Sequence, residues 1–289
     1  MLGVDIGGDA RAYPVDLLGL HEVVDDVVGG RPIAVTWCPL CASAVVFDRR
    51  VAGRVLAFAV SGRLHHANQV LYDRQTHSLW SQLAGGAISG VMRGRKLRLV
   101  PASEQTWKSW LVAHPQTRVL SIRRDLFASD FVHPFSYVDF RGEESSEDPY
   151  LGYEQKVSVY YGFAIEGVSG ASRVVGLLLR GQAKAYPGEL LQRLQAVNDR
   201  VRGVPLVIFW NGLAGAPSVF SRRVGGRVLV CGWRRGVVVD TATDSRWDAA
   251  NGRAVAGRLL GTSLRPLVFT YPYWFAWHSF HPQTLLARR

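Results

Sequence analysis

Ala10-Arg11-Ala12-Tyr13-Pro14 returns 173 residues later as Ala183-Lys184-Ala185-Tyr186-Pro187. After a six-residue deletion the offset becomes 167, and the Trp-rich stretch Trp107–Pro115 then matches Trp274–Pro282. Further matches at these two offsets are Val24–Asp26 with Val197–Asp199, Phe47–Arg50 with Phe220–Arg223, Gly53–Leu56 with Gly226–Leu229, and Asp73–Trp80 with Asp240–Trp247. Because so many matches keep one order, the sequence predicts an internal duplication.

The duplication divides the chain into three parts. We expect a first repeat at residues 1–120, a connecting segment at 121–173 and a second, degenerate repeat at 174–289. The connecting segment has no counterpart elsewhere in the chain, and it carries the acidic run Glu143–Asp148. The first repeat alone carries the Cys-x-x-Cys sequence Cys38-Pro39-Leu40-Cys41.

Both copies show the same order of predicted elements. Alternating apolar and β-branched residues predict strands, and Trp-rich or Pro- and Gly-bounded stretches predict helices. In the first copy we predict helices at 15–27 and 103–113, an apolar strand into the Cys turn, a hairpin of 44–49 with 55–60, and a second hairpin of 69–73 with 78–81. The expected fold class is therefore mainly β (α+β), with two similar antiparallel-sheet halves that each hold a few helices.

Composition limits the partners of the chain. The 289 residues are 48% hydrophobic and 20% charged, which suffices for a sizeable core. The formal net charge of +11 is scattered along the chain and favours a solvated basic surface, not a specific nucleic-acid site. No apolar run approaches the roughly 18 residues of a membrane span. We expect a small-molecule substrate and a cytoplasmic chain as the sequence is written, or an exported one where a leader precedes it.

Differences between the copies mark the candidate functional residues. At matching positions Cys38 becomes Asn211 and Cys41 becomes Ala214, and the deletion removes His65. Four further positions of the first copy carry imidazole, carboxylate or amide groups that the second copy lacks: His21, Glu22, Asp48 and Asn68, with His66 lost in the same deletion as His65. A set that is absent together is consistent with a shared role.

Two thiolates and an imidazole predict a transition-metal site. Cys38 and Cys41 can reach one ion from a single turn, and His21, His65 and His66 are the candidate nitrogen ligands. Copper or zinc is the expected metal, with iron as a further option. No second tight pair of ligands is present, which favours a site with an open position, and we take Glu22, Asp48 and Asn68 as candidate catalytic residues. The sequence thus predicts a metal-dependent enzyme, with redox chemistry expected.

Two other interpretations of the cysteines stay open. Cys-x-x-Cys also serves thiol–disulfide exchange, where it opens a helix that lowers the pKa of the first thiol. Here the following residues, Ala42–Phe47, favour a strand over a helix, which weakens that comparison. The alternatives are therefore a thiol–disulfide redox protein that uses Cys38 and Cys41, or a non-catalytic module that binds a metal or ligand.

Several blocks of the chain resemble a known family. His21–Asp26, Val35–Ala44, Phe47–Arg50 and Tyr72–Gln82 are similar to the signature blocks of the prokaryotic domain of unknown function 3179 (DUF3179). The resemblance extends to Asp148–Tyr150 and Trp274–Trp277 and implies that an export signal or lipoprotein leader is common among relatives. Where the family pattern has Asn-Ser-Asn, this chain has His66-Ala67-Asn68, and the added imidazole favours a metal site in this member.

Overall fold

The structure is a computed structural model, and it describes residues 1–122, 135–138 and 162–288. Strands account for 51% of the residues and helices for 12% of them. The expected mainly β class with several antiparallel sheets is therefore confirmed. Most of the connecting segment 121–173 lies outside the described residues, including the acidic run Glu143–Asp148 and the family block Asp148–Tyr150.

Strands β1–β15 lie in the first half of the chain. A five-stranded sheet has the order β13-β1-β2-β14-β15: Ser103–Glu104, Leu2–Ile6, Asp9–Tyr13, Arg118–Ile122 and Phe135–Val138. One four-stranded sheet has the order β12-β5-β4-β3, at Arg98–Val100, Ser43–Asp48, Arg31–Cys38 and Val23–Val28. A second four-stranded sheet has the order β11-β10-β9-β8, at Gly86–Ser89, Leu79–Ser81, Asn68–Asp73 and Phe58–His65. Strands β6 (Arg50–Val51) and β7 (Arg54–Val55) form a short hairpin. Only β2 and β14 pair in parallel among these described strands.

Strands β16–β30 follow in the second half. One four-stranded sheet has the order β20-β21-β22-β29, at Ala196–Val201, Val204–Asn211, Ala216–Ser221 and Arg265–Pro266. A second has the order β25-β26-β27-β28, at Cys231–Arg234, Val237–Asp240, Arg246–Trp247 and Ala254–Ala256. A three-stranded sheet and two hairpins complete the set: β18-β19-β30 at Val174–Leu179, Gln182–Pro187 and Leu285–Leu286, β16-β17 at Ala164–Ile165 and Val168–Ser169, and β23-β24 at Arg223–Val224 and Arg227–Val228.

Four α-helices of seven residues each lie in the described part of the chain. They are α1 (Val15–His21), α2 (Trp107–Ala113), α3 (Gly188–Leu194) and α4 (Trp274–Phe280). The side chain of Thr106 caps α2 by accepting a hydrogen bond from the Ser109 N–H. None of the helices in the described ranges is long and apolar enough to cross a membrane.

The sheet of β3, β4, β5 and β12 lies in the middle of the first half. Val35 and Val46 face a core that includes Leu18 of α1, whereas Ala34 and Phe47 face a core that includes Trp80 of β10. Because successive side chains of a strand point to opposite faces, a sheet covered on both sides needs an apolar residue at nearly every position. This accounts for the apolar run before the Cys turn and positions that turn between layers.

Three predicted elements differ from the structure. The predicted helix at 103–113 begins only at Trp107, after its cap Thr106, because Ser103–Glu104 pairs with β1 as strand β13. The predicted helix at 15–27 ends at His21, because Glu22 adopts a left-handed conformation (φ 57°) and Val23–Val28 forms strand β3. The strand after the β6–β7 hairpin does not pair back onto β5. It pairs with β9 in another sheet, where Phe58 packs against Trp80 with ring centroids 5.7 Å apart. The predicted hairpin of 69–73 with 78–81 is confirmed, with Leu71 opposite Trp80.

Candidate functional site

The two cysteines flank a tight connection between two buried strands. Cys38 ends β4, a one-turn 3-10 helix spans Pro39–Cys41, and Ser43 begins β5 opposite Cys38. Ala42 has a φ of 47°, which reverses the chain direction. Both thiols are completely buried, and neither forms a disulfide. The turn leads into a strand, as expected from the sequence.

Strand periodicity directs the polar side chains of this region to one face. Thr36 and Cys38 share a face of β4 with Ala34, and Ser43 shares a face of β5 with Phe47, so all of them point toward the sheet of β9 and β10. That sheet contributes Asn68 at the start of β9 and Gln82 just after β10. Two facing sheets therefore form a polar interior around the sulfurs.

The sulfur of Cys41 lies within this polar interior. Asn68 Nδ2 donates to Cys41 Sγ at 3.1 Å, and Ser43 Oγ lies 3.1 Å from the same sulfur. Asn68 Nδ2 also donates to Gln82 Oε1 at 2.7 Å, and the Ser43 hydroxyl donates to that oxygen at 2.8 Å. All three polar side chains are buried, so the sulfur has polar partners without exposure to water.

Backbone groups fix the orientation of both amides. Asn68 Oδ1 accepts the Leu83 N–H at 3.0 Å, which leaves Nδ2 to face the sulfur. Gln82 Nε2 donates to the Ser43 carbonyl at 3.0 Å and to Thr36 Oγ1 at 3.0 Å, which leaves Oε1 to accept. Thr36 in turn donates to the Val45 carbonyl at 2.7 Å. The hydrogen-bond network therefore requires Asn68 to present an N–H to Cys41.

The two thiols differ in acidity. Burial raises the pKa of Cys38 well above its ordinary value, and its hydrogen bond to Cys41 raises it further. Burial also opposes ionisation of Cys41, but hydrogen bonds from Cys38, Ser43 and Asn68 together lower the pKa of that thiol. Hydrogen bonds to the charged form favour it. Cys41 is thus the sulfur that carries a negative charge more readily, and Cys38 is a proton donor to it.

His65 and His66 lie at the turn between β8 and β9. Their rings are 4.4 Å apart, and the ring of Phe280, the last residue of α4, lies 5.6 Å from His65. Ala67, the next residue, packs against the apolar cluster that contains both cysteines. His65 Nδ1 is buried and has no hydrogen-bond partner in the described part of the chain, and burial lowers the pKa of this imidazole.

The other predicted site residues lie outside the hydrogen-bond network around Cys41. Asp48 is at the far end of β5 from the Cys turn, about 17 Å away by strand geometry. There it accepts the Arg50 N–H at 2.9 Å and lies 3.5 Å from Arg31, so it stabilises a turn. His21 ends α1, and the backbone of Glu22 accepts the Trp37 N–H at 2.9 Å. Burial raises the pKa of Glu22.

The predicted metal ligands do not come together as one set. Among the described residues, no group of three or more His, Cys, Asp and Glu side chains is placed to hold a metal ion. Both cysteines lie in one buried cluster, against which Ala67, the neighbour of His66, packs. The metal centre therefore stays a prediction.

The polar network includes three residues outside the candidate metal and catalytic sets: Thr36 and Gln82, which the sequence did not single out, and Ser43, which the sequence predicts as a pocket-lining residue of the Cys turn. Comparison of the two halves of the sequence at offsets of 173 and 167 residues could have found all three, because their counterparts in the second half are Phe209, Ala216 and Ala249. Each of these buried polar side chains in the first half corresponds to an apolar residue at the matching position of the second half. The same test that found the cysteines would have found their hydrogen-bond partners.

Comparison with known proteins gives a family but no annotated relative. A family model described as "Protein of unknown function (DUF3179)" matches residues 1–284, so the chain belongs to that family. The match covers both halves and the site. No curated protein and no solved structure matches the chain.

Proposed function

We propose that this member of the DUF3179 family is a thiol-based redox protein in which Cys41 is the reactive thiolate and Cys38 is its resolving partner. The polar environment of the Cys41 sulfur is the observation that supports this proposal. Asn68 and Ser43 each lie 3.1 Å from that sulfur, in an interior where an unpartnered charge would be costly. A structural cysteine needs no such partners.

The network can serve both protonation states of Cys41. With a neutral thiol, the Ser43 hydroxyl donates to Gln82 Oε1, and Cys41 can donate its S–H to Ser43 Oγ. When the thiol ionises, rotation of the Ser43 hydroxyl lets it donate to the sulfur, while Gln82 Oε1 keeps the Asn68 donor. The charge then gains one donor and no buried acceptor loses its last partner.

Complete burial of both sulfurs selects a small oxidant, and we propose a hydroperoxide. The Cys41 thiolate attacks one oxygen, the O–O bond breaks, and the leaving oxygen takes up a proton, which leaves a sulfenic acid. Cys38 Sγ then attacks the Cys41 sulfur and loses its proton, the S–O bond breaks, and water leaves as the disulfide forms. The two sulfurs are oxidised by two electrons and the peroxide is reduced by two; an external dithiol restores the thiols.

The test measures oxidation of the full chain by stoichiometric hydrogen peroxide. We expect a mass decrease of two hydrogens, a Cys38–Cys41 disulfide in the peptide map, and reversal by dithiothreitol. Cys38→Ser is expected to stop at a sulfenic acid that dimedone traps on Cys41, and Cys41→Ser is expected not to react. Cys231→Ser is the matched control, because burial raises the pKa of Cys231 to about 12 and keeps it a thiol. Cys38 and Cys41 that stay reduced under peroxide would contradict the proposal.

A metal-dependent redox enzyme is the second candidate function. The buried Nδ1 of His65, which has no partner within the described ranges, favours it, because a neutral imidazole is a metal ligand and Ala67, two residues further on, packs against the cysteine cluster. Copper or zinc suits the two sulfurs. The test is elemental analysis of untagged protein as isolated, with a spectrum for thiolate-to-metal charge transfer. Stoichiometric metal that survives in a Cys38→Ser/Cys41→Ser variant would count against this site.

We also propose that the chain arose by duplication, with repeats at 1–120 and 174–289 joined by 121–173 and with the redox site kept only in the first repeat. Matched hydrogen bonds support it: the hydroxyl of Tyr13 donates to Asp26 at 2.5 Å, and that of Tyr186 donates to Asp199 at 2.6 Å. A solved structure of the protein tests this proposal, since the two repeats should superpose over their sheets. Halves with different strand orders would refute it.

A further inference from the structure

A cleft of about 310 Å³ lies in the second half of the chain, next to the residue that contacts the Cys turn. That residue is Arg173, whose guanidinium donates to the Ala42 carbonyl at 2.9 Å. The cleft is also lined by Gly188 and Glu189 of α3, Trp210 of β21 and Tyr271. Its volume lies at the lower end of the usual range for small-molecule sites.

The hydroxyl of Tyr271 reaches this cleft without a hydrogen-bond partner. Tyr271 is 5% exposed, yet its hydroxyl bonds to none of the described residues and keeps some accessible surface. The oxygen lies next to Gly188, where a Cβ atom would come within 2.5 Å of it, and both residues line the cleft. Burial raises the pKa of Tyr271 to about 12, although Arg173 acts to lower it, so the hydroxyl is a neutral donor near pH 7. Because the hydroxyl of a buried tyrosine usually has a partner, this donor indicates a ligand.

Arg173 offers further N–H groups on the same wall. Its Nε donates to the Tyr271 carbonyl at 2.8 Å, and Nη2 donates to Ala42 and Glu104, each at 2.9 Å. The third nitrogen, Nη1, donates to no residue in the described ranges and is accessible. The guanidinium carbon lies 4.1 Å from the centre of the Tyr271 ring, so Nη1 and the hydroxyl of that ring are close neighbours. Adjacent N–H and O–H donors suit the two oxygens of a carboxylate.

Glu189 brings a negative charge to the same cleft. Arg173 and Glu189 are the two formally charged side chains among the described residues that line it. Their chain segments run side by side, because the Gly188 N–H donates to the Arg173 carbonyl at 2.8 Å. The two side chains nevertheless form no ion pair, since Arg173 pairs with Glu104 and Glu189 is exposed. Opposite charges that line one cleft without pairing suit a ligand that carries both signs of charge.

The aromatic rings give the cleft an apolar surface. Trp210 and Tyr271 are both buried, and their ring centroids lie 6.5 Å apart at an interplanar angle of 68°. We propose that the cleft binds an apolar α-amino acid. Its carboxylate accepts from Arg173 Nη1 and the Tyr271 hydroxyl, its ammonium pairs with Glu189, and its side chain lies against Trp210.

The first half of the chain lacks two of the groups that make this site. At the offsets of 173 and 167 residues, Val15 corresponds to Gly188 and Glu104 corresponds to Tyr271. A β-branched side chain fills the room that Gly188 leaves beside the hydroxyl, and a carboxylate has no hydrogen to donate near pH 7. We therefore expect one site per chain.

The test titrates L-phenylalanine calorimetrically into the full chain, with 3-phenylpropionate and 2-phenylethylamine as analogues that each lack one of its charges. We expect saturable binding of one L-phenylalanine per chain and at least tenfold weaker binding of either analogue. Tyr271→Phe and Glu189→Gln should each weaken L-phenylalanine at least threefold. Tyr72→Phe, which removes a hydroxyl from strand β9 outside the cleft, should leave its affinity unchanged. The proposal is overturned by an absence of saturable binding, by an analogue that binds as tightly, or by full affinity in Tyr271→Phe or Glu189→Gln.

A second measurement covers variants that fail to fold. In the unmodified protein the indole N–H resonance of Trp210 should shift as L-phenylalanine is added, whereas that of Trp233, in the sheet of β25, should not. Equal shifts at both indoles, a shift at Trp233 alone or a shift at neither overturns the proposal. The result is independent of the thiol chemistry, because no cysteine lines the cleft.

Discussion

At the scale of single residues, Asn68 is one of three hydrogen-bond partners, after Cys38 and Ser43, that lower the pKa of Cys41. Its Nδ2 donates to the sulfur at 3.1 Å, and the Leu83 N–H prevents the amide from turning round. We predict that Asn68→Leu raises the pKa of Cys41 by about one to two units, since a hydrogen bond to a charged group is worth roughly 1.5–3 kcal/mol. The measurement is ultraviolet thiolate absorbance against pH in a Cys231→Ser background.

Asn251→Leu is the control for that titration. Asn251 Nδ2 bonds to Asp248 at 3.0 Å in the second half of the chain, so its loss should leave the Cys41 titration unchanged. An equal thiol pKa in the Asn68→Leu and Asn251→Leu variants would show that the amide does not stabilise the thiolate.

Asp25 predicts a pH dependence of stability. Burial raises the pKa of Asp25 to about 6 despite the positive charge of Arg49, and its Oδ1 is buried and finds no partner among the residues that the structure describes. Its counterpart at the 173-residue offset is Asn198, which accepts the Cys231 N–H at 2.9 Å and donates to the Cys231 carbonyl at 2.6 Å. Asp25 accepts the matching Phe58 N–H at 2.9 Å but lacks the amide donor.

The sign of the effect follows from the raised pKa. Between about pH 4 and pH 6 the folded chain binds more protons at Asp25 than the unfolded chain, so stability falls as pH rises through this window. Across this window the free energy of unfolding should fall by on the order of 2 kcal/mol. We predict that Asp25→Asn removes this decrease and that Asn198→Asp introduces a similar one. Urea unfolding at a series of pH values measures both. A slope that is unchanged in Asp25→Asn would contradict the assignment.

Residue identity alone predicted part of the site. Cys38, Cys41 and Asn68 were found because the second half lacks them, and the structure brings them together. Asp48 passed the same test but lies at the other end of β5, because comparison of the two halves shows which residues differ and not where a side chain lies. Once the bounds of β5 are known, the number of residues between Ser43 and Asp48 shows that Asp48 lies away from the cysteines.

At the scale of elements, the turn between β9 and β10 is stabilised by the side chain of Asp73. Asp73 accepts from the Thr76 N–H at 2.6 Å and from Trp80 Nε1 at 2.9 Å. In the matching turn Asp240 accepts from the Thr243 N–H at 3.0 Å and from the N–H of the exposed residue Ala242 at 3.1 Å. Trp247 Nε1, however, is buried with no partner among the described residues, so loss of Asp240 strands no indole N–H, whereas loss of Asp73 strands that of Trp80. We therefore predict that Asp73→Ala costs roughly 1.5–3 kcal/mol more than Asp240→Ala. Denaturant unfolding of both variants measures this difference, and equal losses would refute it.

Element bounds were predicted well where a turn residue marked them and poorly elsewhere. The β9–β10 hairpin was correct because its strands alternate around a short polar turn. The helix at 15–27 was extended too far, since Glu22 ends it by a left-handed conformation that glutamate seldom adopts. The β-branched residues that follow, Val23 and Val24, indicate a strand once that end is known.

At the scale of the whole molecule, the second half covers the Cys turn of the first. The Tyr273 N–H donates to the Cys41 carbonyl at 2.9 Å, and Phe275 and Ala276 of α4 pack in the cluster that contains both cysteines. No pattern in residues 1–120 indicates this cover, because it depends on contacts between segments more than two hundred residues apart. The burial of the thiols is therefore a property of the assembled chain.

Arg173 connects this cover to the turn. Its guanidinium donates to the Ala42 carbonyl at 2.9 Å, pairs with Glu104 at 2.9 Å, and lies 4.1 Å above the ring of Tyr271. We predict that Arg173→Met, which keeps the length of the side chain, raises the rate at which an alkylating reagent labels Cys41 roughly tenfold. The reason is that loss of about 1.4 kcal/mol from local contacts makes opening of the turn about ten times more frequent.

Two comparisons separate local opening from global unfolding in that experiment. Arg180→Met removes an exposed arginine with one hydrogen bond to the Arg202 carbonyl and should label at the unmodified rate. Cys231 lies in a core of the second half and reports global unfolding within the same sample. Faster labelling of Cys41 and Cys231 together would mean that Arg173 stabilises the whole fold and does not close the Cys turn in particular. Faster labelling of Cys41 alone would identify the contact between halves as the control on access to the sulfur.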